Sequence, residues 1–158
     1  MFRELSRKNR EISQEECIAL LKSETRGVLS VIGDGGYPYG TPMNHYFDEI
    51  NCNIYFHCGR KGHRLDSLRR DSRVSFCVFD KGFRNEGEWA YNVKSVVVFG
   101  RMEIVDDLGE VARITTELSK KFTDDLQYVK EEIERSGKGT LLLKLNIEHM
   151  CGKIVNEA

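Results

Sequence analysis

The residues with the clearest chemical potential form a short basic turn in the middle of the chain. Four basic side chains share five consecutive positions: Arg60, Lys61, His63 and Arg64. The turn contains Gly62, follows an apolar segment at 54–58, and precedes a segment at 63–70 that is predicted to be helical. Free N–H groups at the start of a helix, together with adjacent cations, suit a phosphate dianion. The sequence therefore predicts a phosphate-binding turn, although a run of charges is also typical of a solvated loop.

A metal site formed by His57, Cys58 and His63 is a further alternative for the same region. Neighbouring residues on a strand point to opposite faces, so His57 and Cys58 cannot both face one ion, and no metal is predicted. The chain has 5 cysteines, an odd number, and contains no CxxC motif. Reduced thiols are therefore expected rather than a disulfide framework.

Composition limits the classes of partner. The 158 residues carry a net charge of −1 and are 40% hydrophobic, which is typical of a globular protein and unlike most nucleic-acid-binding domains. No apolar run approaches the roughly 18 residues of a membrane span, and the N-terminal residues lack the apolar core of a secretory signal. We expect one domain over 1–158, located in the cytoplasm, with neither nucleic acid nor membrane as a partner.

The pattern of apolar residues predicts a mainly β protein with peripheral helices. A capping box at Ser13 and Glu16 begins a helix that ends near Ser23, and further helices are predicted at 63–70, 108–122 and 126–135. Six strands are predicted, at 27–32, 37–47, 54–58, 73–80, 93–105 and 140–147. Short turns between strands favour antiparallel pairing, and six such strands close best as a small barrel. No GxGxxG or GxxxxGK[ST] motif supports a Rossmann or P-loop site.

Prolines mark one of these strands as unusual. Pro38 and Pro42 both fall inside the predicted strand 37–47, and proline cannot donate a hydrogen bond to a neighbouring strand. This strand must therefore be an edge strand, be kinked, or face a ligand on one side.

Several sequence blocks in a fixed order carry a resemblance to a known family. The blocks are 1–3 with 7–8, 27–31, 36–44, 54–58, 61–64, 73–76, 95–100 and 148–153. Together they resemble the FMN-binding split barrels related to pyridoxamine 5'-phosphate oxidase, and within them the nitroimidazole-resistance family. The resemblance implies a six-stranded antiparallel split β-barrel that forms a homodimer, with FMN at the interface.

The same resemblance implies a set of cofactor-binding residues. Contacts to the isoalloxazine ring would come from Pro42, Met43, Asn44 and His45. Phe56, His57 and Cys58 would line the ribityl chain, and Ser95 is included among the cofactor-binding residues. The phosphate would be held by Lys61, Gly62, His63 and Arg64, with His63-Arg64 standing where related oxidases have an Arg-Lys pair. His45 is the one candidate for a catalytic role, on the substrate side.

The function implied is that of an FMN-dependent oxidoreductase that takes electrons from a small donor and reduces a small planar acceptor, such as a nitroaromatic compound. A non-catalytic flavin- or haem-binding protein remains an alternative, with one of the four histidines as the haem ligand. Oxidation of pyridoxamine phosphate is disfavoured, because only His149 and Lys153 could supply a second phosphate site near the C-terminus. Phe83, Trp89 and Tyr91 form either a small hydrophobic cluster or a flap over the flavin of the partner chain.

Overall fold

The computed structural model describes residues 1–158 and is built on one antiparallel sheet of seven strands. The strands are β1 (Arg26–Ile32), β2 (Pro38–Asn44), β3 (Tyr46–Asp48), β4 (Asn53–Gly59), β5 (Arg73–Phe79), β6 (Asn92–Val105) and β7 (Thr140–Asn156). The helices are α1 (Gln14–Ser23), α2 (His63–Arg70), α3 (Leu108–Ser119) and α4 (Leu126–Ser136). The strand order is β2-β1-β5-β6-β7-β4-β3, and the predicted mainly β class is confirmed.

The seven strands correct the six predicted from the sequence. The predicted strand 37–47 divides at His45, because the chain leaves its partner β1 there and joins β4 as β3. The last strand continues to Asn156 rather than ending near Ile147, since its second half pairs with the first half of β6. Both differences arise from long-range pairing and not from local sequence.

The hydrophobic core lies on the inner face of the curled sheet. Alternate residues of β1, Leu29 and Val31, are buried there beside Phe76 of β5, while Val28 between them is exposed. Helix α1 contributes Cys17, Leu20 and Leu21 to this core. The predicted capping box at its start is present, with the Glu16 N–H donating to Ser13 Oγ at 3.2 Å.

Helix α3, with α4 packed against it, covers part of the outer face of the sheet. Val111 and Ile114 of α3 pack on Tyr55 of β4 and Leu142 of β7, and all four are buried. The outer face of β1, β5 and β6 has no helix above it, and Phe79 there is 59% exposed. None of the helices is both long and apolar enough to cross a bilayer.

A β-bulge where β6 and β7 pair leads to the first prediction. The register shifts between Phe99 and Gly100, and a Cβ added at Gly100 would overlap the backbone carbonyl of Asn146. Backbone cannot move aside as a side-chain tip can, so Gly100→Ala should destabilise the protein by about 1–3 kcal/mol. Urea unfolding measures this. Gly139→Ala is the control because a Cβ there meets nothing within 4 Å, and equal stabilities of the two variants would contradict the prediction.

Candidate functional site

The candidate site is a break in the barrel between β2 and the second half of β4. Strand β3 pairs with β4 only over Asn53–Tyr55, and β2 pairs only with β1, so residues 56–59 of β4 have no ladder partner on the β2 side. Residues of both strands line the cavities found here. We call the space between 38–44 and 56–59 the β2–β4 gap.

The backbone of β2 presents hydrogen-bonding groups to this gap. At the two ends of the β1–β2 ladder, the Gly33 N–H donates to the Tyr37 carbonyl at 2.8 Å and the His45 N–H donates to the Thr25 carbonyl at 3.4 Å. Antiparallel ladders alternate, so the residues between these points whose backbone faces away from β1 are Pro38, Gly40, Pro42 and Asn44. Two of these four lack an N–H, which leaves Gly40 and Asn44 as donors. Of the three alternatives predicted for this strand, the structure shows an edge strand.

The basic turn lies at one end of the gap and has an open backbone cradle. Gly62 has φ +134°, a conformation that L side chains rarely adopt, and a Cβ placed there would meet nothing within 4 Å. It caps α2, whose first N–H groups have no intrahelical acceptor and no side-chain cap. Free donors, open space and neighbouring cations therefore coincide at this turn.

The cations of the turn are not equivalent. Lys61 is exposed and makes no ion pair, whereas Arg64 donates from Nε and Nη2 to Thr41 Oγ1 at 3.1 and 2.8 Å, which fixes its guanidinium beside β2. Arg60 is directed elsewhere. Its guanidinium forms a two-pronged ion pair with Asp106 at 2.8 and 2.6 Å. Lys61 and Arg64 are therefore the two cations of the turn that have no carboxylate partner.

His63 forms one wall of the cavity beside this turn. Its ring stacks on Tyr39 of β2 with 4.2 Å between ring centroids, and its Nε2 lies 3.5 Å from a carboxylate oxygen of Asp34. The cavity between the turn and β2 has a volume of about 230 Å³, and both Tyr39 and Cys58 line it. Burial raises the pKa of the Cys58 thiol, so this cysteine is a neutral wall residue and not an activated nucleophile.

A second cavity, of about 380 Å³, continues along the gap away from the turn. It is lined by Arg26, Pro42, Met43, Asn44 and His57. Arg26 makes no ion pair, and burial lowers the pKa of His57, which favours the neutral ring. This end of the gap therefore combines an uncompensated guanidinium, a neutral imidazole and the side-chain amide of Asn44.

The structure does not bring His45 to the gap. Its side chain is fully buried, its ring packs edge-on against Phe76 at 4.9 Å, and its Nε2–H donates to the Leu21 carbonyl at 2.7 Å. His45 is thus part of the core and has no route to a substrate. Phe56 is likewise fully buried against Phe76, so it can offer a ligand only its backbone.

Ser95 also lies away from the gap within one chain. It is on the outer face of β6, opposite Phe79 and Lys153, and two strands separate it from β2. The remaining predicted residues, from Pro42 to Asn44, His57, Cys58 and the basic turn, do border the gap. Met43 does so at its margin, since its side chain also packs on the core.

The residues of the site that were not predicted include Arg26, Tyr39, Gly40 and Thr41. Thr41 and Tyr39 alternate on β2 and face Arg64 and His63, so the strand period could have identified them once the turn was placed beside β2. Arg26 lies opposite Asn44 in the β1–β2 register, which a hairpin centred on Gly35 would have indicated.

A curled antiparallel sheet with an unpaired gap and a basic turn at its end defines the split-barrel class. The chain belongs to the pyridoxamine 5'-phosphate oxidase family, whose sequence model matches residues 13–154. No curated protein matches the chain significantly.

Solved structures share the fold at low sequence identity. A candidate 5-nitroimidazole antibiotic resistance protein from Bacteroides thetaiotaomicron is 18% identical, with a TM-score of 0.75 over 92% of this chain and 87% of that one. A conserved hypothetical protein from Mycobacterium tuberculosis is 21% identical, with a TM-score of 0.78 over 95% and 90%. An FAD and haem binding protein from Mycobacterium smegmatis is 17% identical, with a TM-score of 0.70 over 94% and 74%. These likenesses show the fold alone.

Proposed function

We propose that this protein binds FMN in the β2–β4 gap, as a homodimer, and acts as a flavin-dependent oxidoreductase that reduces a small planar acceptor such as a nitroaromatic compound. The observation that carries the proposal is the turn at 60–64, where two free cations and unpaired helix N–H groups meet an open glycine at the end of the gap. The names of solved relatives, which include a nitroimidazole resistance protein and an FAD and haem binding protein, support it.

The residues present fit a flavin mononucleotide. Lys61, Arg64 and the N–H groups at the start of α2 match a phosphate dianion in charge and in donor number. The extended segment from His57 to Gly59, at about 3.3 Å per residue, leads from the ring end of the gap to the turn. Gly40 and Asn44 offer backbone donors along the opposite wall. A flavin would therefore lie along the gap with its phosphate at Lys61 and its ring beside Asn44.

When bound, the flavin supplies the electron or hydride transfer itself. The protein would orient the ring through Asn44 and the backbone of β2, and would place the neutral imidazole of His57 at its edge. Arg26 adds a positive charge at the ring end of the gap. Because the flavin would transfer the electrons and the protein would only orient it, no separate catalytic acid or base is needed.

The open outer face of the sheet supports the homodimer. Cross-strand neighbours on β2, β1, β5 and β6 form an apolar row: Pro42, Val28, Cys77 and Val97. This row borders the ring end of the gap, and Ser95 lies on the same face. A second copy covering the face would bury the row and could bring its own Ser95 towards the flavin.

A charge in this row should separate the subunits. Val28 is 37% exposed in one chain, and Val28→Asp would bury an unpaired carboxylate in the proposed interface. We expect a monomer in sedimentation velocity and FMN binding weakened by about tenfold or more, since the interface would border the ring. Ile50→Asp is the matched control, because Ile50 is 93% exposed in the β3–β4 turn. A Val28→Asp protein that stays dimeric would contradict the interface.

The absorption spectrum of the purified protein tests the proposed cofactor directly. Bound flavin should give maxima at about 375 and 450 nm, and mass spectrometry of the released ligand should identify FMN. A colourless protein that ignores added FMN in a fluorescence titration would refute the proposal.

A second candidate function is the binding of haem or flavin without turnover. It has one specific observation in its favour: the imidazole of His57 borders an apolar cavity between α3 and α4. By contrast, His45 is buried and His149 is stacked under Phe2 at 5.0 Å. A Soret band in the spectrum that is lost in His57→Ala would favour this alternative.

Pyridoxamine-phosphate oxidation has less support in this chain. It would need a second basic cluster near the C-terminus for the phosphate of the substrate. His149 is covered by the ring of Phe2, and Lys153 lies opposite Glu11 in an isolated β-bridge. The exposed Lys153 is a single cation and does not form a basic cluster by itself.

A further inference from the structure

The connection between β5 and β6 carries exposed aromatic side chains; we call residues 80–91 the aromatic hairpin. Phe83, Trp89 and Tyr91 are all exposed, and Trp89, the only tryptophan of the chain, is 73% exposed. These rings do not form a buried cluster within one chain. We propose that the aromatic hairpin covers the ring end of the β2–β4 gap of a second copy of the chain, with Trp89 against the bound ring. This inference rests on the homodimer and the flavin of the proposed function.

The backbone of the aromatic hairpin is fixed although its rings are exposed. Phe83 and Asn92 exchange two backbone hydrogen bonds, at 3.0 and 2.8 Å. The Asp80 carboxylate accepts hydrogen bonds from the Gly82 N–H at 2.9 Å and from the Lys94 N–H at 3.0 Å. Exposed apolar patches mark interaction sites, and aromatic residues are enriched in them. An ordered hairpin that exposes several aromatic rings therefore indicates a surface that a partner covers.

The aromatic hairpin projects from the ring end of the outer face. Phe79 immediately precedes it on β5 and lies two residues beyond Cys77, which pairs with Val28. Continuing this register places Phe79 beside Arg26, whose other neighbour is Asn44 at the ring end of the gap. Within one chain, β1 and β2 lie between β5 and the gap. The hairpin and the gap are therefore at the same end of the outer face but on opposite sides of it.

Two-fold symmetry brings the aromatic hairpin over the gap of the partner. In a two-fold dimer the same patch packs on itself, and sheets that pack face to face keep their strands nearly aligned. The apolar row from Pro42 to Val97 is centred between β1 and β5. A two-fold axis there, parallel to the strands, exchanges β5 with β1 and β6 with β2. The partner's aromatic hairpin then lies over β1 and β2, within one strand spacing of about 5 Å from the gap.

The other end of the outer face favours this axis over one perpendicular to the strands. A perpendicular axis would place each aromatic hairpin on the far end of the partner's face. Arg73 and Arg101 are cross-strand neighbours at that end, where they pair with Asp71 and Glu148. Covering these ion pairs with aromatic rings would remove their hydration, which costs free energy. The parallel axis avoids this contact and keeps the aromatic hairpins with the ring ends.

Flavin fluorescence tests the contact between the rings, because an indole that touches a flavin quenches its emission. Bound FMN should be weakly fluorescent in the wild type and bright in Trp89→Leu, which should also bind FMN about three- to tenfold more weakly through the loss of stacking. Tyr37→Leu is the matched control and should behave as the wild type, since it removes an exposed aromatic ring from the β1–β2 turn at the opposite end of the sheet. Equal emission from FMN bound to the wild type and to Trp89→Leu would overturn the inference.

Mixed dimers, purified through two different affinity tags, show which chain supplies the tryptophan. In the first, one chain carries Trp89→Leu and the other carries Lys61→Ala with Arg64→Ala, so the single FMN site faces the tryptophan of the other chain. In the second, one chain is unsubstituted and the other carries all three substitutions, so the single FMN site has a tryptophan only in its own chain. We expect weak flavin emission from the first dimer and strong emission from the second. The reverse order, or equal emission, would overturn the inference.

Trp89 also reports on docking when no flavin is present. The dimer should cover this side chain, so its emission should lie at shorter wavelength in the wild type than in the Val28→Asp monomer and be quenched less by acrylamide. This difference in a protein that does not bind FMN would support the docking of the hairpin and refute the proposed cofactor. Equal acrylamide quenching of the two proteins would overturn the inference, and FMN binding measured in the same protein would then leave the proposed cofactor intact.

Discussion

Replacing Lys61 and Arg64 together with alanine should weaken FMN binding by a factor on the order of 100 or more. Each residue would lose a charge-assisted contact with the phosphate, and hydrogen bonds to charged groups contribute about 1.5–3 kcal/mol each. Arg64 should contribute the larger share, because its bonds to Thr41 Oγ1 already hold the guanidinium beside the gap, whereas Lys61 must be ordered on binding. Fluorescence titration of the apoprotein with FMN measures both effects.

Arg69→Ala provides the control for net charge. Arg69 lies on the same helix, is exposed and pairs with Asp66 at 3.3 Å, so its loss removes one charge without touching the turn. The FMN affinity of Arg69→Ala should stay within about threefold of the wild type, since surface ion pairs contribute little to stability. A double variant at Lys61 and Arg64 that binds FMN as well as Arg69→Ala would exclude the turn as the phosphate site.

The second large effect is a loss of stability in acid that depends on His45. Burial and the nearby Lys121 ammonium lower the pKa of His45 to about 4, from an ordinary value of 6.5. Between these values the unfolded chain binds a proton that the folded protein excludes, so stability is complete above about pH 6.5 and falls as the pH drops to about 4. At about 1.4 kcal/mol per pH unit, the loss is about 3 kcal/mol.

The atomic reason is the fixed tautomer of the ring. Nε2 carries the proton that bonds to the Leu21 carbonyl, so Nδ1 is unprotonated, and it is buried without a partner. Protonation at Nδ1 would place a charge in the core near Lys121, whose ammonium donates to the His45 carbonyl at 3.0 Å. No carboxylate forms an ion pair with either residue.

Urea unfolding of wild type and His45→Gln across about pH 4–7 measures the effect. We expect His45→Gln to be the less stable protein at neutral pH and to lose about 3 kcal/mol less on acidification. NMR of the imidazole nitrogens gives a second readout in the unsubstituted protein, where His45 should remain neutral at about pH 5. Identical pH slopes for both proteins, or a charged His45 ring at that pH, would contradict the prediction.

Local sequence predicted much of the fold because several signals agreed. The capping box placed the start of α1, and glycine followed by a short apolar pattern placed α2 over His63–Arg70, as the structure has it. Pro38 and Pro42 limited their strand to three alternatives, and an edge strand, which the structure shows, was one of them. These features depend on residues close together in the chain, where backbone chemistry alone is decisive.

The errors came from partners far away in the chain. Arg60 was predicted to be part of the phosphate-binding turn. Its guanidinium instead donates hydrogen bonds to the Asp106 carboxylate and the Lys138 carbonyl. His45 looked exposed beside a proline-interrupted strand, yet the carbonyl of Leu21 and the ammonium of Lys121 enclose it. Local sequence does not indicate an ion pair or a buried imidazole tautomer, because both depend on residues that only the tertiary fold brings together.

A contribution of a second subunit to the site is equally difficult to predict from local sequence. Ser95 matches a family block, but one chain places it two strands from the gap. In the proposed homodimer, Ser95 would approach the flavin only from the second copy, and local sequence does not indicate which subunit supplies a contact.

The two prolines of β2 have a consequence for solubility. An unpaired strand edge is a template on which another molecule can add a strand, and this is a common route to aggregation. Pro38 and Pro42 remove two of the four N–H groups along that edge, so an incoming chain could not complete a regular ladder. The barrel can thus remain open for a ligand without inviting intermolecular β-pairing.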